Sequence, residues 1–300
     1  MLKIESGINL AKFTSIKIGG IAKYFYEPTN TDDFLQVLNY AKNKSIPFFV
    51  LGGGSNLLIS STGFEGLVIR TTKLTSINQL DTTHILADAG VRLPHLARFA
   101  GNLNLSGLEF SCGIPGTVGG GVIMNAGAHG SSMSELVEYI NVYDFLTDSV
   151  KKMTNDQLSF AYRSCILKPG SQVVLNACLR LKQGDKNEIL AKIKANEDYR
   201  WKTQPLSYPN AGSTFKNFSP TQPAGKLLDL AGVKNLTCGD ASVSAIHANF
   251  VINLGKAQSS DVIDLLGKMQ TSVFNKFSIK LFPEWKTLGN FGNKIDDIWG

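Results

Sequence analysis

Two glycine-rich stretches hold the residues of this chain best suited to bind a ligand through the backbone. Residues 113–130 read GIPGTVGGGVIMNAGAHG, with seven glycines, and residues 50–60 read VLGGGSNLLIS. Glycine loses more backbone freedom on folding than any other residue, so such a run costs stability unless close approach to the backbone has a use. Glycines after strands often bring N–H groups up to phosphate oxygens, and they also form tight turns in strand-rich domains. Both interpretations remain open on the glycines alone.

The spacing of these glycines excludes two common nucleotide-binding loops. A P-loop requires GxxxxGK[ST], and neither stretch has Lys-Ser or Lys-Thr after its glycines. The Rossmann fingerprint GxGxxG fails at Leu57, where its third glycine is needed, and residues 113–119 have the spacing GxxGxxG. Pro115 lacks an N–H and has a fixed φ, which favours a rigid loop over a helix start.

Two glycine loops that are well separated along the chain favour a long ligand lying between two sub-structures. A dinucleotide fits this description, with its pyrophosphate against both loops. Short polar side chains stand beside the glycines and supply hydrogen-bonding groups: Ser55, Asn56, Thr117 and Asn125.

The composition indicates an ordinary globular protein and excludes several other classes. With 300 residues and 43% hydrophobic content, the chain is long enough for about two domains with sizeable cores. Its net charge of +6 comes without the clustered basic and aromatic residues of a nucleic-acid binder. No apolar run approaches the roughly 20 residues that span a bilayer, and the N-terminus lacks a signal-peptide core. The four cysteines form no CxxC pair, so we expect a cytoplasmic protein without a metal site.

Apolar periodicity predicts an α+β fold in which helices and strands alternate at first and a more β-rich layer follows the second glycine run. The predicted helices are 31–44, 93–103, 185–201, 223–232 and one beginning near residue 260. The predicted strands are 46–51, 66–70, 84–90, 138–145, 173–182 and 278–282.

The glycine loops also carry a resemblance to a known family. GGGSN at 52–56, GIPGTVGG at 113–120 and MNAGA at 124–128 together resemble the flavin-binding half of the UDP-N-acetylenolpyruvoylglucosamine reductases. Further blocks follow the family's order along nearly the whole chain: SIKIGG (15–20), Tyr162-Arg163 followed by Ser164, AGSTFKN (211–217), AGKLLDLAG (224–232), HANFVIN (247–253) and PEWKTLG (283–289). One glycine loop is a weak signal, whereas this ordered set is specific.

The resemblance implies non-covalent FAD in a fold of the vanillyl-alcohol-oxidase (PCMH) type. The FAD-binding subdomains are expected at 1–80 and 81–199, with an α+β substrate-binding domain at 200–300. The shortness of the chain resembles the compact subclass that lacks an extra tyrosine-bearing loop. The residues implied in FAD binding are Gly52, Gly53, Gly54, Ser55, Asn56, Leu57, Gly113, Ile114, Pro115, Gly116, Thr117, Gly119, Gly120, Asn125, Gly127 and Ala128.

The family's reaction reduces the C=C bond of an enolpyruvyl ether with a hydride from flavin N5 and a proton from the protein. It needs a cation at the carboxylate, a proton source and a hydrogen-bond donor for the developing enolate. The resemblance implies Arg163, Ser213 and Glu284, respectively, with the pKa of Glu284 raised in a dry pocket. Without the resemblance, the sequence predicts only an arginine at a strand end, a serine in a turn and a solvated glutamate at these three positions. Trp285 stands where the family usually has a valine-like residue.

Contacts to the substrate are implied at three further positions. Lys202 matches weakly, because Thr203 occupies the slot before Gln204-Pro205 where the family often has lysine. Asn217 follows the serine block. His247 is a candidate for the substrate pocket, although an interior histidine bonded to backbone fits the sequence equally well.

The resemblance implies a ping-pong reductase that uses NADPH and UDP-N-acetylglucosamine enolpyruvate in one cleft, as a monomer that binds neither nucleic acid nor membrane. Its product would enter peptidoglycan synthesis, and so cell-wall biogenesis, cell shape and cell division. One alternative is a related FAD-dependent alcohol or hydroxy-acid oxidase. The other, a nucleotide-binding module without catalysis, has no use for Arg163, Ser213 and Glu284 together.

Overall fold

The structure is a computed structural model that describes residues 2–300. Its strands are β1 (Glu5–Asn9), β2 (Ile21–Tyr26), β3 (Phe48–Leu51), β4 (Leu57–Ile59), β5 (Phe64–Arg70), β6 (Ile77–Gln79), β7 (His84–Asp88), β8 (Leu105–Ser106), β9 (Gly127–Ala128), β10 (Ser131–Ser132), β11 (Val137–Asp144), β12 (Ser149–Thr154), β13 (Gln172–Arg180), β14 (Lys182–Gln183), β15 (Thr237–Cys238), β16 (Ala241–Val243), β17 (Val251–Asn253) and β18 (Lys286–Leu288). Its α-helices are α1 (Thr31–Asn43), α2 (Leu93–Asn102), α3 (Val118–Ile123), α4 (Asn155–Leu158), α5 (Lys186–Thr203), α6 (Ala224–Leu230), α7 (Ser259–Phe277) and α8 (Lys294–Trp299).

The chain forms two compact units, and each unit combines segments that are not continuous in the sequence. The first contains Phe25–Gly53 and Gly66–Arg200, together with the N-terminal residues through Glu5. The second contains Ser6–Tyr24, Gly54–Glu65 and Trp201–Gly300. The domain boundaries predicted from sequence, after residues 80 and 199, stay predictions.

The first unit is built on a five-stranded antiparallel sheet with the order β12-β11-β13-β7-β6. Its core packs apolar residues of α2, α3 and α5 against this sheet, including Leu96, Val122 and Ile193 from the helices. Strand β3 pairs in parallel with β5 in the same unit and ends at Leu51, directly before the first glycine loop. The β-rich layer expected after the second glycine run is therefore confirmed in β11 and β13.

Helix α1 shows how local sequence signals set an element. The Asn30 side chain accepts a hydrogen bond from the Asp33 N–H at 2.9 Å and so caps the helix start. Phe34 and Leu38 then lie fully buried on one face, as the apolar spacing predicts. The helix predicted at 31–44 is confirmed.

The second unit packs α6 and α7 around strands β16 and β17, with Trp285 fully buried in the same core. Distant segments join this unit through hydrogen bonds. Strand β4 pairs in parallel with β18, and the Asn253 amide donates to the Ile16 carbonyl at 3.0 Å. These long-range pairings group residues before position 66 with the C-terminal third of the chain.

The strand predicted at 278–282 is wrong. Helix α7 ends at Phe277, and the Ser278 that follows adopts a left-handed conformation. The structure assigns no strand between this point and β18. An isolated bridge pairs Phe215 with Pro283, formed by the Lys216 N–H bond to the Phe282 carbonyl at 2.9 Å and the Glu284 N–H bond to the Thr214 carbonyl at 2.8 Å. The apolar alternation of SIKLF reflects burial of single side chains such as Leu281 rather than membership of a sheet.

Candidate active site

The two glycine loops touch each other within the first unit. A Cβ on Gly52 would lie 2.5 Å from the Thr117 Oγ1, and one on Gly53 would lie 2.7 Å from the Pro115 carbonyl oxygen. Side chains are therefore excluded at these two positions by the second loop of the protein itself. The sequence interpretation explained the missing side chains by the close approach of a ligand. For Gly52 and Gly53 this explanation is incomplete, because contact with the second loop also requires glycine.

Backbone donors of both loops have no protein acceptor. Within residues 2–300, the N–H groups of Gly52, Gly53, Gly116, Thr117 and Gly120 donate no hydrogen bond. The Thr117 Oγ1 is also buried without a partner in this part of the chain. An unsatisfied buried hydroxyl costs about 1–3 kcal/mol, so this arrangement favours a bound acceptor such as a phosphate oxygen. The donor set fits the pyrophosphate of a dinucleotide.

Individual glycines of the second loop have different surroundings. Gly119 donates to the Ala89 carbonyl at 2.9 Å, and a Cβ there would meet the Ala89 side chain at 3.0 Å, so packing requires this glycine. Gly120 has room, since the nearest atom to an added Cβ is the Thr117 Oγ1 at 3.7 Å. Packing within the protein therefore does not require glycine at position 120, and the backbone of Gly120 is exposed.

Asn125 has a structural role that the sequence interpretation did not include. Its amide nitrogen donates to the Ala161 carbonyl at 3.0 Å, and its oxygen accepts from the Ser134 N–H at 2.9 Å. Both ends of the side chain are bonded to protein backbone. Asn125 thus anchors the segment that carries Arg163.

Arg163 lies in a two-residue turn closed by reciprocal backbone hydrogen bonds between Ala161 and Ser164. Its φ of 56° is in the left-handed region, which is uncommon for an arginine and marks a constrained position. The guanidinium Nη2 donates to the Gly127 carbonyl at 3.1 Å, and its Cζ lies 5.2 Å from the centre of the Tyr162 ring. The structure therefore brings Arg163 to the end of the second glycine stretch.

Ser213 and Glu284 are brought together in the second unit by the residue that follows Ser213. The Glu284 N–H donates to the Thr214 carbonyl at 2.8 Å. The Asn249 side chain fixes the next residue, Phe215, by accepting from its N–H and donating to its carbonyl, each at 2.9 Å. Among the residues described, 2–300, the Ser213 hydroxyl has no hydrogen-bond partner and is half-buried.

The second half of the first glycine loop also belongs to this unit. The Asn56 amide donates to the Glu284 carbonyl at 3.3 Å, and the Lys286 N–H donates to the Asn56 carbonyl at 3.0 Å. Gly54 has a φ of 63°, and a Cβ there would lie 2.1 Å from the Phe13 carbonyl oxygen. Asn56, assigned to the cofactor from sequence, thus uses its side chain to hold the Glu284 backbone.

The predicted substrate contacts are in three different environments. Lys202 is exposed in the last turn of α5. The Asn217 oxygen accepts from the Ala224 N–H at 3.0 Å, at the start of α6. The His247 Nδ1 accepts from the Asn249 N–H at 3.1 Å, and burial lowers the pKa of this histidine, so its ring is neutral near pH 7. These contacts match the interior-histidine interpretation, which the sequence left open.

Sequence reasoning missed Ser15 as a positioning residue. Its hydroxyl donates to the Asn210 carbonyl at 2.6 Å, and its N–H donates to the Gly54 carbonyl at 2.9 Å. It therefore connects the glycine loop with the segment leading to Ser213. A serine in SIKIGG carries no local signal for such a long-range role.

Comparison with known proteins decides the family. Residues 204–288 match the model for the UDP-N-acetylenolpyruvoylglucosamine reductase C-terminal domain, and residues 22–149 match an FAD binding domain. The UDP-N-acetylenolpyruvoylglucosamine reductase of Caldanaerobacter subterraneus is 40% identical over 280 residues, covering 93% of this chain and 92% of that protein. The chain belongs to this family. The enzyme of the same name from Caldicellulosiruptor bescii is 43% identical, over 94% of this chain and 90% of its own length.

A solved structure extends the family likeness to three dimensions. The crystal structure of UDP-N-acetylenolpyruvylglucosamine reductase from Thermus caldophilus superimposes with a TM-score of 0.82 at 33% identity, covering 96% of this chain and all of that one. The predicted α+β fold with an FAD-binding region is confirmed, and FAD is the cofactor. Of the helices in residues 2–300, none combines the length and apolar character needed to cross a membrane.

Gly53 and Gly120 distinguish a requirement of the fold from a requirement of the cofactor. Gly120→Val should leave the melting temperature of the flavin-free protein nearly unchanged but lower its FAD content, because the branched side chain occupies open space at the donor set. Gly53→Val should lower both, since its Cβ meets the Pro115 carbonyl. Flavin absorbance per protein and thermal melting measure the two effects. Fully yellow protein from Gly120→Val would remove this residue from the flavin site.

Proposed function

We propose that this chain catalyses the NADPH-dependent reduction of the enolpyruvyl group of UDP-N-acetylenolpyruvoylglucosamine to give UDP-N-acetylmuramate, a precursor of peptidoglycan. Membership of the reductase family supports this activity. The observation that carries the mechanism is the Thr214–Glu284 hydrogen bond, which joins the residue after Ser213 to the backbone of Glu284. The oxidase alternative is not favoured, because the relatives carry the reductase name.

Bound FAD would supply the redox chemistry, the transfer of a hydride from NADPH to the terminal carbon of the enolpyruvyl double bond. The groups that would hold FAD are the Thr117 hydroxyl and the backbone N–H groups of Gly52, Gly53, Thr117 and Gly120. These donors are preformed, so binding requires little reorganisation of the loops.

Arg163 binds the substrate carboxylate in this proposal. The turn at 161–164 and the Gly127 carbonyl hold the guanidinium before substrate arrives. Negative charge grows on the carboxylate as the enolate forms, and a preorganised cation stabilises that charge without moving. Arginine also makes two parallel hydrogen bonds to a carboxylate.

Ser213 donates its hydroxyl proton to the carbon that bears the carboxylate, and Glu284 in its protonated form donates a hydrogen bond to the developing enolate. A serine is a weak acid, so the proton transfer requires a strongly basic carbon at short range. Glu284 is half-buried beside the buried residues Pro283 and Trp285. We assign Lys202, Asn217 and His247 to contacts with the sugar nucleotide.

The proposal includes the setting of the enzyme. We infer a cytoplasmic location, because no disulfide joins the four cysteines within residues 2–300, as suits a reducing compartment. We also propose that the enzyme is a monomer. Sedimentation velocity of the FAD-loaded protein at micromolar concentration tests the monomer, and a dimer mass would contradict it.

The role of Arg163 can be tested by replacing it with lysine. Arg163→Lys keeps the charge but loses the two-pronged contact, so turnover should fall by on the order of 10²-fold. Flavin reduction by NADPH should change much less. Arg180→Lys, on an exposed position of β13, is the matched control and should behave as wild type. Equal loss in both half-reactions would make Arg163 a structural residue or one shared with NADPH binding.

Ser213 separates proton delivery from hydride delivery. Ser213→Ala should slow reoxidation of the reduced enzyme by substrate about 10²–10⁴-fold, the usual contribution of a general acid. Ser213→Cys should keep part of the activity, and Ser260→Ala, an exposed control in the first turn of α7, should keep all of it. Rapid-mixing absorbance follows each half-reaction separately. Normal reoxidation by Ser213→Ala would leave Glu284 as the leading proton source.

A further inference from the structure

The chain that carries Glu284 has few regular contacts of its own. Between the end of α7 and the start of β18, a single isolated bridge, Phe215 with Pro283, represents the β-structure. Backbone hydrogen bonds join Phe282 to Lys216, Glu284 to Thr214 and Lys286 to Asn56, and side-chain hydrogen bonds add to them. Two of these side-chain contacts come from residues that no step of the proposed mechanism uses.

The first is Gln270, a buried amide on the apolar face of α7. Its Nε2 donates to the Leu281 carbonyl at 2.8 Å and to the Ile298 carbonyl at 2.9 Å. Leu281 lies just before Pro283, and Ile298 belongs to α8. One side chain thus ties the approach to Glu284 to the C-terminal helix.

The second is Trp299, the last residue of α8. Its indole Nε1 donates to the Trp285 carbonyl at 3.0 Å, on the other side of Glu284. Ile298 is buried in the core of the same unit, which fixes the helix in place. Helix α8 lies beyond residue 288, where the match to the family's C-terminal domain model ends.

A cavity of about 250 Å³ borders both Glu284 and Trp299. The side chains of Lys216 and Trp285 also line it. Thr214 and Asn56 bond the backbone of Glu284 itself, and the contacts of Gln270 and Trp299 hold the backbone on either side of it.

We propose that Gln270 and Trp299 are positioning residues that hold the backbone on both sides of Glu284, forming a C-terminal clamp. The inference rests on the proposed role of Glu284 in the reaction. The clamp keeps the carboxyl where it meets the developing enolate, and a misplacement of about 1 Å can cost on the order of 10²-fold in rate. NADPH oxidation does not involve Glu284, so the clamp affects only the second half-reaction.

Trp299→Phe is the principal test variant, because it keeps an aromatic side chain and removes the N–H donor together with the five-membered part of the indole. Gln270→Met removes both amide donors at similar volume. Lys294→Gln is the matched control: it breaks the exposed ion pair between α8 and Asp264, 2.8 Å long, without touching the Glu284 backbone. All three are compared as FAD-loaded protein.

Two measurements apply to each variant. Amide hydrogen exchange over residues 282–288 should become roughly 10-fold faster in Trp299→Phe, the scale of one net hydrogen bond. Reoxidation by saturating substrate should slow by roughly 10-fold, while flavin reduction by NADPH and FAD content stay at wild-type values. Gln270→Met should show the same pattern, and Lys294→Gln should show neither effect.

Unchanged exchange in Trp299→Phe would overturn the clamp. Faster exchange with a normal reoxidation rate would also overturn it, since the segment would then need no positioning. An equal fall in the rates of both half-reactions would show that these contacts stabilise the protein in general and do not position Glu284, which would also overturn the clamp. Glu284→Gln tests the proposed role of Glu284 separately from the clamp. Normal reoxidation by that variant would refute the role of Glu284 in the reaction. The hydrogen-exchange data would still test whether the Trp299 contact holds the segment.

Discussion

The hydrogen bond from the Glu284 N–H to the Thr214 carbonyl is the contact on which the second half of the site depends. Ser213 precedes the acceptor residue, so one backbone bond joins the segment of Ser213 to the segment of Glu284, which lie far apart in sequence. Asn249 supports it by bonding both backbone groups of Phe215. Buried amides in such roles are costly to replace, because each leaves two backbone groups without partners.

A second constraint acts in the first unit, where two glycine loops approach each other more closely than side chains allow. The Gly52 and Gly53 backbones lie against Thr117 and Pro115. This contact places N–H groups from both loops together and leaves the Thr117 hydroxyl without a protein partner. Glycine therefore has two roles here. It allows the two loops to pack against each other, and it leaves backbone N–H donors accessible to a pyrophosphate.

Local physics made much of the fold predictable. Helix α1 carries its own cap and a continuous apolar face, and α7 likewise has a long apolar stripe, so both were predicted correctly. The segment 278–282 failed, because apolar alternation reports which side chains are buried and says nothing about whether a partner strand exists. Its Leu281 carbonyl is satisfied by the Gln270 side chain instead of a ladder. A glutamine on an apolar helix face was the available sign of that contact.

The amino-acid sequence by itself determined the family, the FAD cofactor and the set of candidate residues, because ordered blocks of residues are recognisable without coordinates. It also determined the elements whose signals lie within one helix or strand. Tertiary structure alone decided that Asn56 and Asn125 bond to protein backbone, that Ser15 joins Gly54 to Asn210, and that Trp299 reaches the backbone beside Glu284. Each of these contacts joins residues that are distant along the chain, and hydrogen bonds of that kind leave no periodic trace in the sequence.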